Sequence, residues 1–234
     1  MGEATVVGVM GAGLGWLAGA WIHPLLGIVL AVVAGLNGLV SGWRRIYPWR
    51  RAAGVVAFVV DSTWATLSVF VGLLAHVVAM VRRAEFLPEF SERHGHHVYR
   101  GGMVLKPGYA LTVGNVISGA GPVENASRAR LVHDHESVHV WQARLFGPLY
   151  LPLYGLWAGL AALVGIGVWV RRGRKEPMGK VVESCAYYMN PFEWWAYSRQ
   201  QFWPPSGLAQ GIGWKQPAVR SFAERRDADP SRRR

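Results

Sequence analysis

Two apolar runs at the start of the chain constrain its fold more than any other feature. Residues 4–22 and 25–42 contain no charged side chain, and no Lys or Arg occurs before Arg44. Each run has close to the ~20 residues that an α-helix needs to cross a bilayer. Only His23 and Pro24 separate the two runs, so we expect a tight hairpin of two membrane helices.

Small residues recur every four positions along both runs and predict how this hairpin packs. The two clearest rows are Gly11, Gly15 and Gly19 in the first run and Gly27, Ala31 and Gly35 in the second. Residues four apart share one face of a helix, and small side chains let membrane helices approach closely. We therefore predict a glycine-zipper hairpin that can also contact other membrane proteins.

A basic loop and a third apolar stretch complete the predicted membrane-anchoring part, residues 1–83. Loop 43–52 carries four arginines and three aromatic residues, a composition typical of the membrane–water interface. Residues 55–81 predict a third membrane helix that contains Asp61. An ionisable residue inside a span is a functional candidate; the alternative is that Asp61 lies near the lipid headgroups.

The next region, residues 84–203, is more polar and is expected to form a small α+β unit. Short runs broken by Gly and Pro within residues 97–121 predict a β hairpin. His94, His96 and His97 could bind a metal, but adjacent histidines in a strand point to opposite faces. We therefore interpret them as part of a solvated loop.

A zinc-binding pattern lies in the segment 126–146, which contains neither Gly nor Pro and predicts a helix. Within it, His135-Glu136-Ser137-Val138-His139 forms an HExxH motif. Positions i and i+4 share a helix face, so His135 and His139 can present both imidazoles to one Zn²⁺. Glu136 can then act as general base toward a zinc-activated water.

A third metal ligand must come from a later element, and three glutamates are candidates. Glu176 lies in a basic run, and we favour Glu193 over Glu183. Asn190 and Pro191 predict a helix start that puts Glu193 at the third helical position. One interpretation is that Glu193 only closes a capping box; the other is that it completes a His-His-Glu site with one open position.

The apolar run 149–170 conflicts with that ligand set. It is long enough to span a bilayer, and a single crossing would separate Glu193 from His135 and His139. Because its Pro and Gly residues make an interrupted helix credible, we expect a segment that does not cross the membrane. It would dip in and return, lie along the interface or pack inside the protein. If the run is a true span, Glu193 is a helix cap.

Two stretches of this region resemble known families. HESVHVWQARLFGPLYLPLY followed by NPFEWWAY is similar to a group of small bacterial proteins, without an established activity, that combine HExxHxxQ with NPFExxAY. HExxH followed by Glu-x-x-Ala looks like the gluzincin arrangement of zinc metallopeptidases. The resemblance implies that His135, His139 and Glu193 are ligands and that Glu136 is the base. One departure is Asn115, which stands where the bacterial group usually has His.

The distribution of charge bears on partners and location. The formal net charge is +11, but all 25 Lys and Arg residues follow residue 42. Membrane topology explains this asymmetry through the positive-inside rule, which places the motif region in the cytoplasm. Since no nucleic-acid-binding motif is present, we exclude nucleic acid as a partner. We expect residues 204–234 to be a flexible basic tail.

These observations predict a mainly α-helical, multi-pass protein of a bacterial cell membrane with a small α+β, metallopeptidase-like region. The expected function is a membrane-anchored zinc metallopeptidase, with Asn115, Arg144 or Tyr197 supporting the oxyanion. The alternative is a non-catalytic scaffold, or a subunit of a larger membrane complex. Its metal site would then be structural and closed by a fourth ligand such as His133 or Asp134.

Overall fold

The computed structural model describes residues 2–175 and 177–199. By its internal contacts the chain divides into two compact units, residues 1–150 and 151–234. The predicted tail at 204–234 and the candidate Glu176 lie outside the described residues. Helices dominate the described part, with one small sheet in the first unit.

Two long helices form the predicted N-terminal hairpin. Helix α1 spans Gly2–Ala20 and helix α2 spans Pro24–Trp43. The His23 side chain accepts the Leu25 N–H at 3.2 Å, and Pro24 occupies the first helical position, where its missing N–H costs nothing. Both helices are long and apolar enough to cross a membrane, as is part of the helical stretch Ala126–Arg171. These lengths support an association with membranes.

Glycines line the contact between α1 and α2, as the small-residue rows predict. A Cβ built on Gly15 would lie 2.7 Å from the Leu30 carbonyl carbon, and one on Gly19 would lie 2.7 Å from the Gly27 nitrogen. By contrast, a Cβ on Gly13 would meet nothing within 4 Å. Only the glycines on the shared face are therefore needed for the two backbones to approach this closely.

The third apolar stretch differs from the single membrane helix expected over residues 55–81. It forms helix α3, Ala52–Ser62, and helix α4, Thr66–Val81, which are bent by 89°. At the break, the Trp64 indole N–H donates to the Leu145 carbonyl at 3.1 Å, and the Thr66 hydroxyl donates to a carbonyl freed by the bend. The Thr66 contact satisfies a backbone carbonyl at the break, and the Trp64 contact ties the break to a segment much later in the chain.

Tyr47, which was expected at the membrane interface, and Asp61 are both buried inside the protein. Tyr47, one of the loop aromatics, is fully buried, and its hydroxyl donates to Asp61 at 3.0 Å. Asp61 also pairs with Arg144 through two hydrogen bonds of 2.8 Å. A bidentate arginine–carboxylate pair satisfies both charges away from water. Asp61 is therefore held within the protein and does not lie among lipid headgroups.

A three-stranded sheet contains the predicted hairpin. Strand β2, Leu111–Val113, pairs antiparallel with β3, Val116–Ser118, and β1, His97–Val98, pairs in parallel with β3. The hairpin turn needs Gly114, whose φ is +57° and on which a Cβ would lie 2.8 Å from the Ser68 carbonyl carbon of α4. The parallel strand was not expected, because parallel pairing joins distant segments and leaves no local turn signal.

The solvated-loop interpretation is wrong for two of the three clustered histidines. His94 is exposed, but His96 and His97 are 4% and 0% exposed. His97 Nε2 lies 3.1 Å from the Ser41 hydroxyl. Burial, with the charge of Arg144 nearby, lowers the pKa of His96 to about 3. His96 is therefore a neutral core residue at pH 7.

Helix α6, Ala126–Arg130, continues through a π-helical turn, Leu131–Glu136, into helix α7, Ser137–Phe146. The Asn125 side chain caps the start by accepting the Ser127 N–H at 2.9 Å. Gly147, with φ +53°, ends the helix. The predicted helix over 126–146 is confirmed, with one widened turn that the sequence did not indicate.

The second long apolar run forms helix α8, Tyr150–Arg171. It is uninterrupted, so the expectation of a helix broken at its Pro and Gly residues is wrong. Pro152 falls in the first turn of this helix, where a proline removes no hydrogen bond that the helix needs.

The chain turns after α8 and runs back along it. The returning part consists of helix α9, Met178–Glu183, a π-helical turn, Ser184–Tyr188, and helix α10, Pro191–Arg199. Ala161 of α8 packs with Val181 and Cys185, and further along the Tyr154 ring stacks on Phe192 at 5.8 Å. This antiparallel register brings the start of α10 back to the first turns of α8.

Candidate metal centre

The two histidines of the HExxH motif lie side by side in the interior. His135 and His139 are 1% and 6% exposed, and their Nε2 atoms are 3.1 Å apart. Two nitrogens bound to one tetrahedral zinc at ~2.0–2.1 Å lie roughly 3.3 Å from each other. The spacing of the two Nε2 atoms therefore suits a shared metal ion.

Glu193 is the candidate third donor. Its helix α10 begins at Pro191, and the Asn190 side chain caps it by accepting the Phe192 N–H at 3.0 Å. Glu193 is 2% exposed, and its Oε1 accepts a hydrogen bond of 2.7 Å from the Tyr154 hydroxyl. The predicted N-cap at Asn190 is confirmed.

His135, His139 and Glu193 are all buried and form the candidate donor group. Glu183 is not part of this group. Two imidazoles and a carboxylate are a donor set that suits a divalent transition metal such as zinc. The group could therefore hold a metal ion.

Further side chains fix the orientation of His139. Its Nδ1 lies 2.8 Å from the Gln142 Oε1 and 3.3 Å from the Tyr150 hydroxyl. An amide oxygen only accepts, so Nδ1 carries the hydrogen and Nε2 keeps its lone pair for a metal. Sequence reasoning gave no role to Gln142. Its position three residues after His139, on the same helix face, could have indicated a contact with that histidine.

The candidate base, Glu136, follows His135 directly and is 5% exposed. The Thr112 hydroxyl, on the neighbouring strand β2, donates to its Oε2 at 2.6 Å. This contact fixes one carboxylate oxygen and leaves the other to accept a proton. Sequence reasoning also missed Thr112, because the approach of β2 to this helix is a long-range contact.

The residues expected to support an oxyanion have other partners. Arg144 is bound to Asp61, and the Asn115 amide donates to the side-chain oxygen of Asn37 at 2.9 Å. The Tyr197 hydroxyl lies 3.0 Å from that of Tyr187. Arg144 and Asn115 therefore stabilise the interior, and the structure assigns neither of them to the metal centre.

The exposed histidines near the motif do not join the donor group. The rings of His94 and His133 are 5.6 Å apart, and Phe90 packs on His133 at 5.0 Å. In the part of the chain that the structure describes, the candidate donor group consists of His135, His139 and Glu193. His133 is thus a suitable control position for metal-binding experiments.

Comparisons with family models, with curated proteins and with solved structures find no match to this chain. The resemblance of its motifs to gluzincins and to the small bacterial group stays a prediction. The functional argument therefore rests on the residues of the centre and on their geometry.

Proposed function

We propose that the chain is a membrane-anchored zinc metallopeptidase. The observation that carries the proposal is the buried His135–His139–Glu193 group with the Glu136 carboxylate directly beside its first histidine. Three protein donors leave one position of a tetrahedral ion open, which is the pattern of catalytic zinc sites. The apolar helices α1 and α2 supply the proposed membrane anchor.

The roles of the surrounding side chains follow from their contacts. When bound, zinc lowers the pKa of a coordinated water and polarises a substrate carbonyl. Gln142 and Tyr150 hold the His139 ring in the tautomer that a ligand needs. Glu136, held through Oε2 by Thr112, takes the proton of the attacking water at Oε1 and passes it to the leaving amine.

The metal can be tested directly on detergent-solubilised protein. We expect about one zinc per chain by elemental analysis, and loss of that zinc in His135→Ala and in His139→Ala. His133→Ala is the matched control, because this histidine lies in the same helical turn outside the donor group. Stoichiometric zinc in both ligand variants would refute the site.

The catalytic role needs a separate variant. Glu136→Gln should keep the zinc and the fold but reduce cleavage of a quenched fluorescent peptide library by about 10²–10⁴-fold. Loss of zinc in this variant would mean that Glu136 is a ligand. If the wild-type protein retains zinc and cleaves no member of the library, the metallopeptidase proposal is refuted for these substrates.

A structural metal site is the second candidate, and the burial of all three donors favours it. A structural site is closed by a fourth protein ligand, whereas a catalytic site keeps a water there. Cobalt substitution distinguishes them, because an open site changes its absorption spectrum when a small inhibitor such as a hydroxamate is added. An unchanged spectrum supports the scaffold function.

Completion of the site by Glu193 also makes a topological prediction. The regions before and after the apolar run 149–170 must then face the same side of the membrane, which we propose is the cytoplasmic side. Single cysteines near Asn125 and near Lys180, in a Cys185→Ser background, should react with an impermeant reagent from the same side. Glu193→Ala should weaken zinc binding, while Glu183→Ala should not; labelling from opposite sides would exclude Glu193.

A further inference from the structure

A cavity lies at the end of the α1–α2 hairpin, beside the basic loop. Its volume is about 480 Å³, within the range of small-ligand sites, and its lining residues are Pro48, Trp49, Arg50, Arg51 and Arg93. Pro48 and Trp49 provide apolar walls, and the three arginines provide positive charge. The cavity belongs to the first unit, and none of the candidate metal-binding residues lines it.

The three arginines that line the cavity differ in whether they pair with other protein groups. The Arg93 guanidinium makes two hydrogen bonds to Glu3, at 2.7 and 2.9 Å, and a third to the Tyr47 carbonyl. In the described part of the chain, Arg50 and Arg51 form no side-chain hydrogen bond or ion pair. Two exposed guanidinium groups therefore have no protein counter-ion, and an anion is the complementary ligand.

The position of the cavity identifies the source of that anion. The first turn of α1 packs against Gly42 near the end of α2, and the Trp49 indole N–H donates to Glu3 at 2.7 Å. The cavity thus lies where two membrane-length apolar helices end. Their outer faces carry exposed large apolar side chains, including Val9, Leu17, Ile28 and Val32. Acyl chains can lie along these faces while a headgroup occupies the cavity.

We propose that this cavity binds the phosphate-bearing headgroup of an anionic glycerophospholipid. Arg50 and Arg51 contact the phosphate, and Pro48 and Trp49 pack against the glycerol backbone. The site orients the basic loop at the membrane–water boundary, where tryptophan is also favoured. The proposal is independent of the metal centre and of any catalytic activity.

The experiment compares lipids on delipidated, detergent-solubilised full-length protein by native mass spectrometry. We expect phosphatidylglycerol to bind more tightly than phosphatidylcholine. Because each arginine near an anionic lipid contributes about a factor of five, Arg50→Gln with Arg51→Gln should weaken binding of phosphatidylglycerol about thirtyfold. Replacement of both arginines by Lys, which keeps the charge, should weaken it much less.

The matched control is the double variant Arg45→Gln with Arg83→Gln, which removes the same charge from two exposed arginines that do not line the cavity. Binding by this control should be nearly unchanged. Equal loss in both glutamine variants, or no loss in the cavity variant, overturns the proposal. Glycerol 3-phosphate is the tail-free probe: if it binds as tightly as the lipid, the site takes soluble phosphate esters and the lipid assignment is wrong.

Discussion

The glycine contacts of the N-terminal hairpin predict opposite effects for two similar substitutions. Gly13 and Gly15 lie in the same helix, two residues apart. Alanine at either position should gain about 1 kcal/mol from helix propensity. At Gly13 the new methyl group meets nothing within 4 Å, so we expect a variant as stable as the wild type or more stable.

At Gly15 the same methyl group would lie 2.7 Å from the Leu30 carbonyl carbon and closer still to its oxygen. Backbone atoms cannot rotate away, so the helices must separate. Overpacking of this kind costs about 1–3 kcal/mol. Since the propensity gain is common to both variants, the difference between Gly13→Ala and Gly15→Ala isolates this cost. Gly35→Ala should fall between them, because its methyl group would meet the Ala12 Cβ at 3.2 Å.

The assay is unfolding by SDS in mixed micelles, followed by the fluorescence of the 12 tryptophans. The free energies of unfolding should rank Gly13→Ala above Gly35→Ala and Gly35→Ala above Gly15→Ala. Leucine at Gly15 should reduce yield as well, because it is much larger. Equal stabilities of Gly13→Ala and Gly15→Ala, within about 0.5 kcal/mol, would show that close packing at Gly15 does not stabilise the hairpin.

Three further predictions concern the interior of the first unit. Asp61→Asn leaves Arg144 buried without a counter-charge and should lower the free energy of unfolding by about 3–5 kcal/mol in the same SDS assay. The folded state holds the pKa of His96 at about 3, below its ordinary 6.5, so the unfolded chain binds the extra proton as the pH falls. The contribution of neutral His96 to the free energy of unfolding is therefore complete above pH 6.5 and decreases toward pH 3, by up to about 1.4 kcal/mol per pH unit. In unfolding measured from pH 7 to 5, His96→Gln should make this dependence on pH less steep. Gln142→Leu should weaken zinc binding about 10–100-fold in a competition titration with a chromophoric chelator, because the His139 tautomer is no longer fixed; an unchanged affinity would remove Gln142 from the metal centre.

Local patterns in the sequence were sufficient for several parts of the fold. Uninterrupted apolar runs and a four-residue repeat predicted the α1–α2 hairpin and the face on which it packs. The absence of Gly and Pro over 126–146 predicted the motif helix, and its i, i+4 spacing put His135 and His139 together. These features depend on residues within one or two helical turns of each other, and such neighbours can be read directly from the sequence.

Long-range contacts decided the features that were missed. The bend between α3 and α4 carries a hydrogen bond from the Trp64 indole to the Leu145 carbonyl, 81 residues later in the chain. Asp61 is internal because Arg144 pairs with it, and His96 is neutral because other elements cover it. No periodicity within a single segment encodes such partners, since they belong to other segments.

The placement of Glu193 illustrates the same division. Its sequence predicted a capped helix start, but the apolar run before it made a metal ligand and a membrane span look incompatible. The tertiary structure keeps α8 as an uninterrupted helix and brings the chain back along it, so that Tyr154 and Glu193 meet. The returning helices are short and mixed in composition. A search of the sequence for apolar segments of membrane-spanning length therefore does not find them. The sequence by itself thus determined the long helices and the i, i+4 placement of His135 and His139 on one of them. Only the tertiary structure decided that Glu193 is buried beside Tyr154, because that contact depends on how α9 and α10 pack against α8.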